Sequence, residues 1–545
     1  MPLLFLALFF YYPLAGLFRE GLTAEGRFTL RCLAAVFTDP YLCHVILFTA
    51  EQALLSTLLA AAIGLPWAYI FVRYDFPGRR ALRSLTLVPF VLPAITVAVG
   101  FILFFGNNGF LNRLLMATFN LTEPPVRVLY SLWGIVLAHA FYNAPVITRI
   151  VGAAWERLDP SYEEGAQALG AGRFRRFIEV VLPLLLPSLM TSMALVFIFC
   201  FLSFPIVLAL GGARFSTIEV EIYTLVRVLL DYRHGTALAL LEILLSLGFT
   251  YGYIFLEGRF TRPLEATRAR PTLPLLRFTP TRVPLFGFIL ASGVLFLGPL
   301  AAVLYDSFTS RLGGQPGFTL EWYRFIFKPE YEALIGEPPL QGILNSFQFG
   351  LAAIGLALMV GLPLAFLIAR GRFRGKRALD TLIMAPLGVS SVALGLALLR
   401  ASLQLRLGGT WLAIPLAHAI LAYPFVIRAV VPLLEGLGRE LVDSARSLGA
   451  SRLRAFFEIE LPLIQRGLLV GAVLAFAISL GEMSATIMLA TPGLKTMPLV
   501  INDLRAARSF GGASAMSVLL ILVTGTAFVV LERLGERAFT GTGRS

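Results

Sequence analysis

A segment of twenty residues whose side chains are suited to docking on another protein occurs twice in this chain. The first copy, EGAQALGAGRFRRFIEVVLP, covers 164–183, and the second, DSARSLGASRLRAFFEIELP, covers 443–462. The two copies share ten identical residues at an offset of 279. Each has a central glycine followed by arginines and a phenylalanine, and arginine and aromatic side chains are enriched in protein interfaces. The repeat therefore predicts two matched contacts with a partner.

Each copy has the pattern of a short helix, a turn and a second helix. Gly170 and Gly449 suit the positive φ of a sharp turn, and Pro183 and Pro462 suit the start of the next helix. An alternative is that the arginines only satisfy the preference for positive charge in cytoplasmic loops. We favour docking, because that preference does not require the same order of glycine, arginine and phenylalanine twice. The candidate contact residues are Glu164, Ala166, Gly170, Arg173, Arg175 and Phe177 in the first copy, and Asp443, Ala445, Gly449, Arg452, Arg454 and Phe456 in the second.

Two further candidates are polar residues inside apolar runs. Glu482 is the only acid in its run, and a carboxylate at the centre of a bilayer costs about 2.5–3.5 kcal/mol on insertion scales. It is predicted either to line a path across the membrane or to bond a neighbouring helix. Its counterpart at the 279 offset is Ser203, so such a path would be lined unequally by the two halves.

Two histidines, His139 and His418, also occupy matched positions. They could ligate a metal ion, but duplication alone explains the match, and a histidine on a membrane helix commonly bonds a facing polar group. No metal site is therefore predicted.

The repeat extends over most of the chain and indicates a duplicated fold. His139, Pro145 and Arg149 match His418, Pro424 and Arg428 at the offset of 279. Upstream the offset is 297: Gly64, Pro66, Arg73 and Pro89 match Gly361, Pro363, Arg370 and Pro386. The difference, 297 minus 279, predicts a longer connection in the first half, placed around 107–125 by its polar and turn-forming residues.

Composition predicts a polytopic membrane protein with an all-α fold. The mean hydropathy is +0.81, with 57% hydrophobic and 14% charged residues. A membrane-spanning helix needs about 20 apolar residues. Twelve runs meet this, at roughly 3–18, 46–72, 85–106, 128–152, 183–211, 236–256, 283–306, 343–369, 379–400, 410–434, 462–490 and 514–535. They predict two homologous six-helix halves, 1–260 and 283–545, joined by a cytoplasmic linker at 261–282.

Arginine distribution predicts the orientation. The loops at 73–84, 257–282 and 370–380 are rich in arginine, whereas the connection from Asp306 to Gln341 is richer in acids. The positive-inside rule places the basic loops, both termini and both repeated loops, about 156–183 and 435–462, in the cytoplasm. This topology explains the net charge of +13, so no nucleic-acid partner is needed to account for it. The basic loops are also predicted to contact anionic lipid headgroups. No GxxxxGK[ST] motif for binding ATP occurs in the sequence. An enzyme is not predicted either, because the sequence shows no convergent cluster of His, Asp and Glu residues.

The pattern E-x-A-x-x-L-G-A-x-x-x-x-x-F-x-x-x-x-L-P resembles the cytoplasmic signature loop of permeases of type I ATP-binding cassette importers. The first copy matches it fully, and the second has Asp443 in place of the glutamate. With two halves in one chain, the sequence is similar to the thiamine and ferric-iron permeases. The stretch from Cys200 to Leu225 resembles the thiamine group, and that from Leu480 to Ile501 resembles the ferric-iron group at least as well.

This resemblance implies a permease in the bacterial cytoplasmic (inner) membrane that binds no cofactor itself. A separate homodimeric ATPase would bind ATP and dock on the repeated loops, and an extracytoplasmic binding protein would deliver the substrate. We favour thiamine over ferric iron, with polyamine, sulfate or another small ion as alternatives. An ion-driven secondary transporter with parallel repeats is a further alternative, but it would have no use for two docking loops.

Overall fold

The computed structural model describes residues 1–24, 27–86, 89, 92–212, 214–260, 273–274, 283–310, 317–328, 331–404 and 411–540. Helices dominate these residues, and the predicted all-α membrane fold is confirmed. The strands within them are pairs of two residues each: β1 Thr23–Ala24 with β2 Arg27–Phe28, β3 Tyr74–Asp75 with β4 Leu273–Pro274, and β5 Thr309–Ser310 with β6 Gly317–Phe318. Apart from 273–274, the predicted linker lies outside the described residues.

The chain divides into two compact units that differ from the two sequence halves. One unit contains 37–221 and 244–306, and the other contains 1–36, 222–243 and 307–545. The first of these units therefore includes residues 283–306 from the second half of the sequence, and the other includes 1–36 and 222–243 from the first half. The halves follow the duplication, whereas the units follow packing.

The first half of the sequence contains fourteen α-helices within the described residues. They are α1 Pro2–Leu6, α2 Tyr12–Gly21, α3 Arg31–Thr38, α4 Pro40–Arg73, α5 Arg79–Leu85, α6 Ala94–Phe105, α7 Phe110–Phe119, α8 Leu132–Glu156, α9 Ser161–Ala168, α10 Arg173–Arg176, α11 Leu182–Phe201, α12 Pro205–Leu210, α13 Ile218–Tyr223 and α14 Tyr232–Phe260. Single π turns occur at Ala7–Tyr11, Phe177–Val181 and Thr224–Val228. Helix α7 lies within the predicted longer connection.

Within the described residues, the second half repeats the order of helices from α4 onwards, except that α7 has no counterpart. Its helices are α15 Val283–Ser307, α16 Glu321–Ile326, α17 Glu332–Ile335, α18 Pro339–Arg370, α19 Lys376–Met384, α20 Ser391–Gln404, α21 Ala413–Gly436, α22 Arg439–Ser447, α23 Arg452–Ala455, α24 Leu461–Gly481, α25 Ser484–Leu489, α26 Met497–Ala506 and α27 Phe510–Thr540. A π turn at Phe456–Glu460 matches the one at Phe177–Val181, and a 3₁₀ turn covers Ala385–Gly388.

Each of the twelve predicted apolar runs overlaps a helical span in the part of the chain that the structure describes. Within the described residues, eleven spans are long and apolar enough to cross a membrane. A helix pair, Lys376–Gly388 and Ser391–Gln404, meets the same criterion only when its two helices are taken together, and it is bent by 98°.

The runs at 183–211 and 462–490, expected to be continuous, are each broken. In the first, α12 begins at Pro205, which has no N–H to continue the helical ladder. In the second, Glu482 follows α24 in an extended conformation, with φ −75° and ψ 115°.

A glycine allows the longest helix of each half to cross its main neighbour closely. A Cβ on Gly64 of α4 would lie 2.8 Å from the carbonyl oxygen of Ala144 on α8. The matched Gly361 of α18 would place one 3.0 Å from Cβ of Val426 on α21. Small residues permit such close approach of membrane helices, so these two repeated glycines are retained for packing.

We expect Gly64→Ala to destabilise the protein by about 1–3 kcal/mol, because the added methyl group meets backbone that cannot move away easily. The midpoint of thermal unfolding in detergent measures this. Gly152→Ala on α8 is the matched control, since its new Cβ would lie 3.8 Å from Cβ of Ala68, an ordinary contact. Equal midpoints for the two variants would show that the Gly64 crossing is not tight.

Candidate functional site

The glycine turn of the repeated loop closes with the same two hydrogen bonds in both copies. After α9, the N–H of Gly170 donates to the Gln167 carbonyl at 2.9 Å, and that of Ala171 donates to the Ala166 carbonyl at 3.0 Å. Gly170 has φ +85°, in the left-handed region. This is a Schellman ending, in which a glycine with positive φ terminates a helix and satisfies its last carbonyls.

The second copy reproduces this geometry. After α22, the N–H of Gly449 donates to Arg446 and that of Ala450 donates to Ala445, both at 3.0 Å, and Gly449 has φ +94°. A methyl group at either glycine would meet no atom within 4 Å, so backbone conformation and not space requires glycine. The identical Ala, Gly and Ala of the two copies therefore occupy the positions that form the turn.

The charged residues of the loops are exposed at equivalent places. Glu164 and Asp443 lie on the first helices, α9 and α22, and Arg173 and Arg452 begin the second helices, α10 and α23; all four are exposed. The next arginine of each copy pairs with the glutamate four residues later in the chain. Nε of Arg175 donates to both oxygens of Glu179 at 2.9 Å, and Nε of Arg454 donates to both oxygens of Glu458 at 3.0 Å.

The apolar side chains of the loops divide into two sets. Phe177 is half-buried, and its ring stacks on Trp155 with centroids 5.9 Å apart. Phe456 is also half-buried and packs against Phe366 and Phe457 at 5.7 and 5.0 Å. Both phenylalanines therefore contact the spans of their own unit.

The apolar side chains presented to solvent are different ones. Leu169 and Leu448, one residue before the glycines, are each 90% exposed. Phe174 and its counterpart Leu453 are 76% and 72% exposed. None of these four residues is among the contact residues predicted from the sequence, although Leu169 and Leu448 belong to the repeated pattern. Matched apolar side chains held in water are typical of a surface that is covered by a partner.

The two path candidates, Ser203 and Glu482, lie at the breaks of their spans. Ser203 lies between α11 and α12, and its Oγ is 2.7 Å from Nε2 of His139. Glu482 lies between α24 and α25, and its Oε1 accepts the N–H of Ala485 at 2.8 Å. Because a side-chain oxygen satisfies an N–H of the first turn, this carboxylate caps α25. Each residue therefore stabilises a break in its own unit.

The matched histidines hold these breaks through hydroxyl groups. His139 is buried, and its Nδ1 is 3.3 Å from Oγ of Ser56. His418 is also buried; its Nδ1 is 2.7 Å from Oγ of Ser479 before the break, and its Nε2 is 2.8 Å from Oγ1 of Thr486 after it. Hydroxyls thus contact both ring nitrogens of each histidine, an arrangement that suits helix pinning better than metal ligation.

The hydrogen bonds of its neighbours decide which ring nitrogen of His418 donates and which accepts. The hydroxyl of Thr486 donates to the Glu482 carbonyl at 3.0 Å. It can therefore accept only from Nε2–H, which leaves Nδ1 to accept from Ser479. One neutral histidine consequently joins the helices on both sides of the break.

A buried polar cluster beside His139 belongs to the first half alone. Nε2 of Gln52 donates to the Cys200 carbonyl at 2.9 Å, and Nδ2 of Asn143 donates to the His139 carbonyl at 3.1 Å. The side-chain oxygens of both amides have no donor among the described residues. The equivalent positions in the second half are Phe349 and Ala422. At these two positions the first half is therefore the more polar one, which single-sequence reasoning missed because isolated Gln and Asn carry no motif.

Comparisons with known proteins agree with this architecture. The sequence profile of the family described as "Binding-protein-dependent transport system inner membrane component" matches residues 60–257 and 361–540. The thiamine transport system permease protein ThiP of Brucella abortus is 28% identical over 520 residues, which cover 93% of this chain and 89% of that protein. ThiP of Escherichia coli is 27% identical over 521 residues, covering 92% and 91%. The ferric transport system permease protein FbpB of Actinobacillus pleuropneumoniae is 25% identical over 531 residues, covering 96% and 75%.

The two profile matches together span more than half of the chain, and each contains one copy of the glycine-turn loop. The resemblance drawn from those loops is confirmed. The chain belongs to the family of binding-protein-dependent transport system inner membrane components, as a membrane permease of an ATP-binding cassette importer with two permease halves in one polypeptide.

Proposed function

We propose that this permease imports thiamine across the bacterial cytoplasmic membrane, driven by a homodimeric ATPase that docks on its two repeated loops. The observation that carries the docking is the pair of identical Schellman turns that hold Leu169 and Leu448 in solvent. A homodimer offers two equivalent surfaces, and the chain offers two equivalent turns. ATP binds to that partner, and this chain needs no cofactor of its own.

The residues of each loop have separate roles in this proposal. Leu169 and Phe174, with their counterparts Leu448 and Leu453, make the apolar contact with the ATPase. The acid and arginines of each copy surround that contact, and Gly170 and Gly449 set its direction. Phe177 and Phe456 fasten the loops to the spans, so that movement of the docked surface reaches the membrane.

The substrate assignment is supported by the relatives. Two thiamine permeases align over about nine-tenths of both chains, whereas the ferric permease has a quarter of its length outside the alignment. An extracytoplasmic binding protein delivers the substrate, and both termini and both loops lie in the cytoplasm. Ferric iron is the second candidate, because the ferric permease covers 96% of this chain. The family match gives no support to an ion-driven carrier.

Purification and reconstitution test this function. The chain is expected to co-purify with two copies of a soluble ATPase. In proteoliposomes with that ATPase and the binding protein, it should take up radiolabelled thiamine only when ATP is supplied. Uptake of ⁵⁵Fe³⁺ in place of thiamine would overturn the substrate assignment. Uptake by the pure chain without ATP would overturn the proposed role of the ATPase.

The glycine turns provide a second test. Gly170→Ala forces an L-residue to φ +85°, which costs roughly 1–2 kcal/mol, so we expect about tenfold weaker binding of the ATPase to reconstituted permease. Gly165→Ala in α9 is the matched control, because a Cβ there meets nothing within 4 Å and the residue is helical. ATPase titration measures both variants. If the control lost as much affinity as Gly170→Ala, the left-handed turn would have no special role.

A third test distinguishes the leucines that contact the ATPase from the phenylalanines that fasten the loops to the spans. Leu169→Ala and Leu448→Ala should weaken ATPase binding about tenfold each, because each removes apolar surface from the docked face, and should leave the thermal midpoint unchanged. Phe177→Ala and Phe456→Ala should lower the midpoint as well, and by unequal amounts, since one ring packs on Trp155 and the other on Phe366 and Phe457. Full ATPase affinity in both leucine variants would remove the leucines from the interface.

A further inference from the structure

Each half has an arginine at the last residue of its longest helix, and in each half that arginine pairs with a carboxylate of the repeated loop. Arg73 ends α4 and pairs with Glu163 of α9, whose side chain is 8% exposed. Arg370 ends α18, and its Nη2 lies 3.6 Å from Oε1 of Glu460, which is 16% exposed. The two arginines are equivalent at the 297 offset.

The two carboxylates are not equivalent. Glu163 precedes the glycine turn of its loop, and its counterpart in the second half is Val442. Glu460 follows the glycine turn, in the π turn at Phe456–Glu460, and its counterpart in the first half is Val181, which is 3% exposed. Each half thus has one glutamate and one valine at the same two positions, in opposite order.

Electrostatics explains why each half has only one of the two acids. A partly buried arginine is stabilised by a paired carboxylate, and a buried charge without a partner is strongly unfavourable. Acids at both positions would place two negative charges against one positive charge, and valines at both would leave the arginine without this partner. A valine at the position that does not hold the glutamate, Val181 or Val442, adds no charge.

We propose that Arg73 and Arg370 are positioning residues that fasten the repeated loops to the spans, and that either loop position can supply the carboxylate. This inference rests on the proposed coupling function. In the first half the fastened arm is α9, before the turn. In the second it is the π turn after it. Movement of a docked partner therefore reaches α4 and α18 through different arms of otherwise matched loops.

A transplanted ion pair tests this interchange. Glu163→Val should lower thiamine uptake per ATP hydrolysed at least fivefold, because Arg73 loses its carboxylate. Adding Val181→Glu, which copies the arrangement of the second half, should restore the ratio to within twofold of wild type. Glu460→Val, alone and with Val442→Glu, is the mirror experiment. Rescue by the transplanted acid distinguishes positioning from mere loss of a stabilising residue.

The design includes a matched control and a conservative variant. Glu156 pairs with Arg83 in an exposed ion pair of the same unit, with side chains 38% and 42% exposed, so Glu156→Gln should change the ratio less than twofold. If Glu163→Val inserts poorly, Glu163→Gln with and without Val181→Glu applies the same comparison. An unchanged ratio in the Glu163 variants, or no rescue by Val181→Glu, would overturn the inference.

The two levels of proposal fail in different ways. If wild-type permease bound no ATPase, the coupling function itself would be wrong. If it bound the ATPase and coupled normally while the Glu163 variants also coupled normally, only the role of the ion pairs would be wrong.

Discussion

A backbone N–H or C=O without a partner in the hydrocarbon core of a membrane costs several kcal/mol, and the rest of this structure depends on that constraint. Continuous helices meet it in most of the chain. The exceptions among the described residues include the breaks after Phe201 and Gly481 and the bend between Gly388 and Ser391, each of which lies inside an apolar run. Such breaks are tolerated where polar side chains replace the missing helical bonds.

At the second break, side chains supply two such bonds: Glu482 accepts the N–H of Ala485, and Thr486 donates to the carbonyl of Glu482. Glu482 caps α25, and His418 connects hydroxyls on both sides of the second break. His139 reaches Ser203 at the first break. An acid within an apolar segment can therefore be required by backbone geometry, and a histidine there can link side chains across a break. This requirement is compatible with a transport path, because irregular backbone at membrane depth is tolerated where it is buried in protein or lines a cavity.

The sequence predicted those parts of the molecule that repeat. Twelve apolar runs, the matched Gly64 and Gly361, and the two glycine turns could all be recognised, because a feature retained twice has a physical requirement in both places. The composition of the compact units could not be recognised, since packing between distant segments leaves no periodic signal. The breaks were also missed: an apolar run looks the same whether or not its helix is interrupted, and no proline marks the second one.

The loop residues illustrate the same limit at finer scale. Phe177 and Leu169 are both repeated apolar residues, so identity alone could not tell which one faces solvent. The Schellman turn decides this, because it points the residue before the glycine away from the spans while the following helix brings the phenylalanine back to Trp155 or Phe366.

Differences between the halves are as informative as their identities. A duplicated scaffold requires that certain interactions be made in each half, but it does not fix which residue makes them. The carboxylate that faces Arg73 lies before the glycine turn, and the one that faces Arg370 lies after it. The first half surrounds its histidine with Gln52 and Asn143, whereas the second has Phe349 and Ala422 there. Since the two halves of one chain mutate independently, they can keep the same turns while the side chains around their buried histidines come to differ.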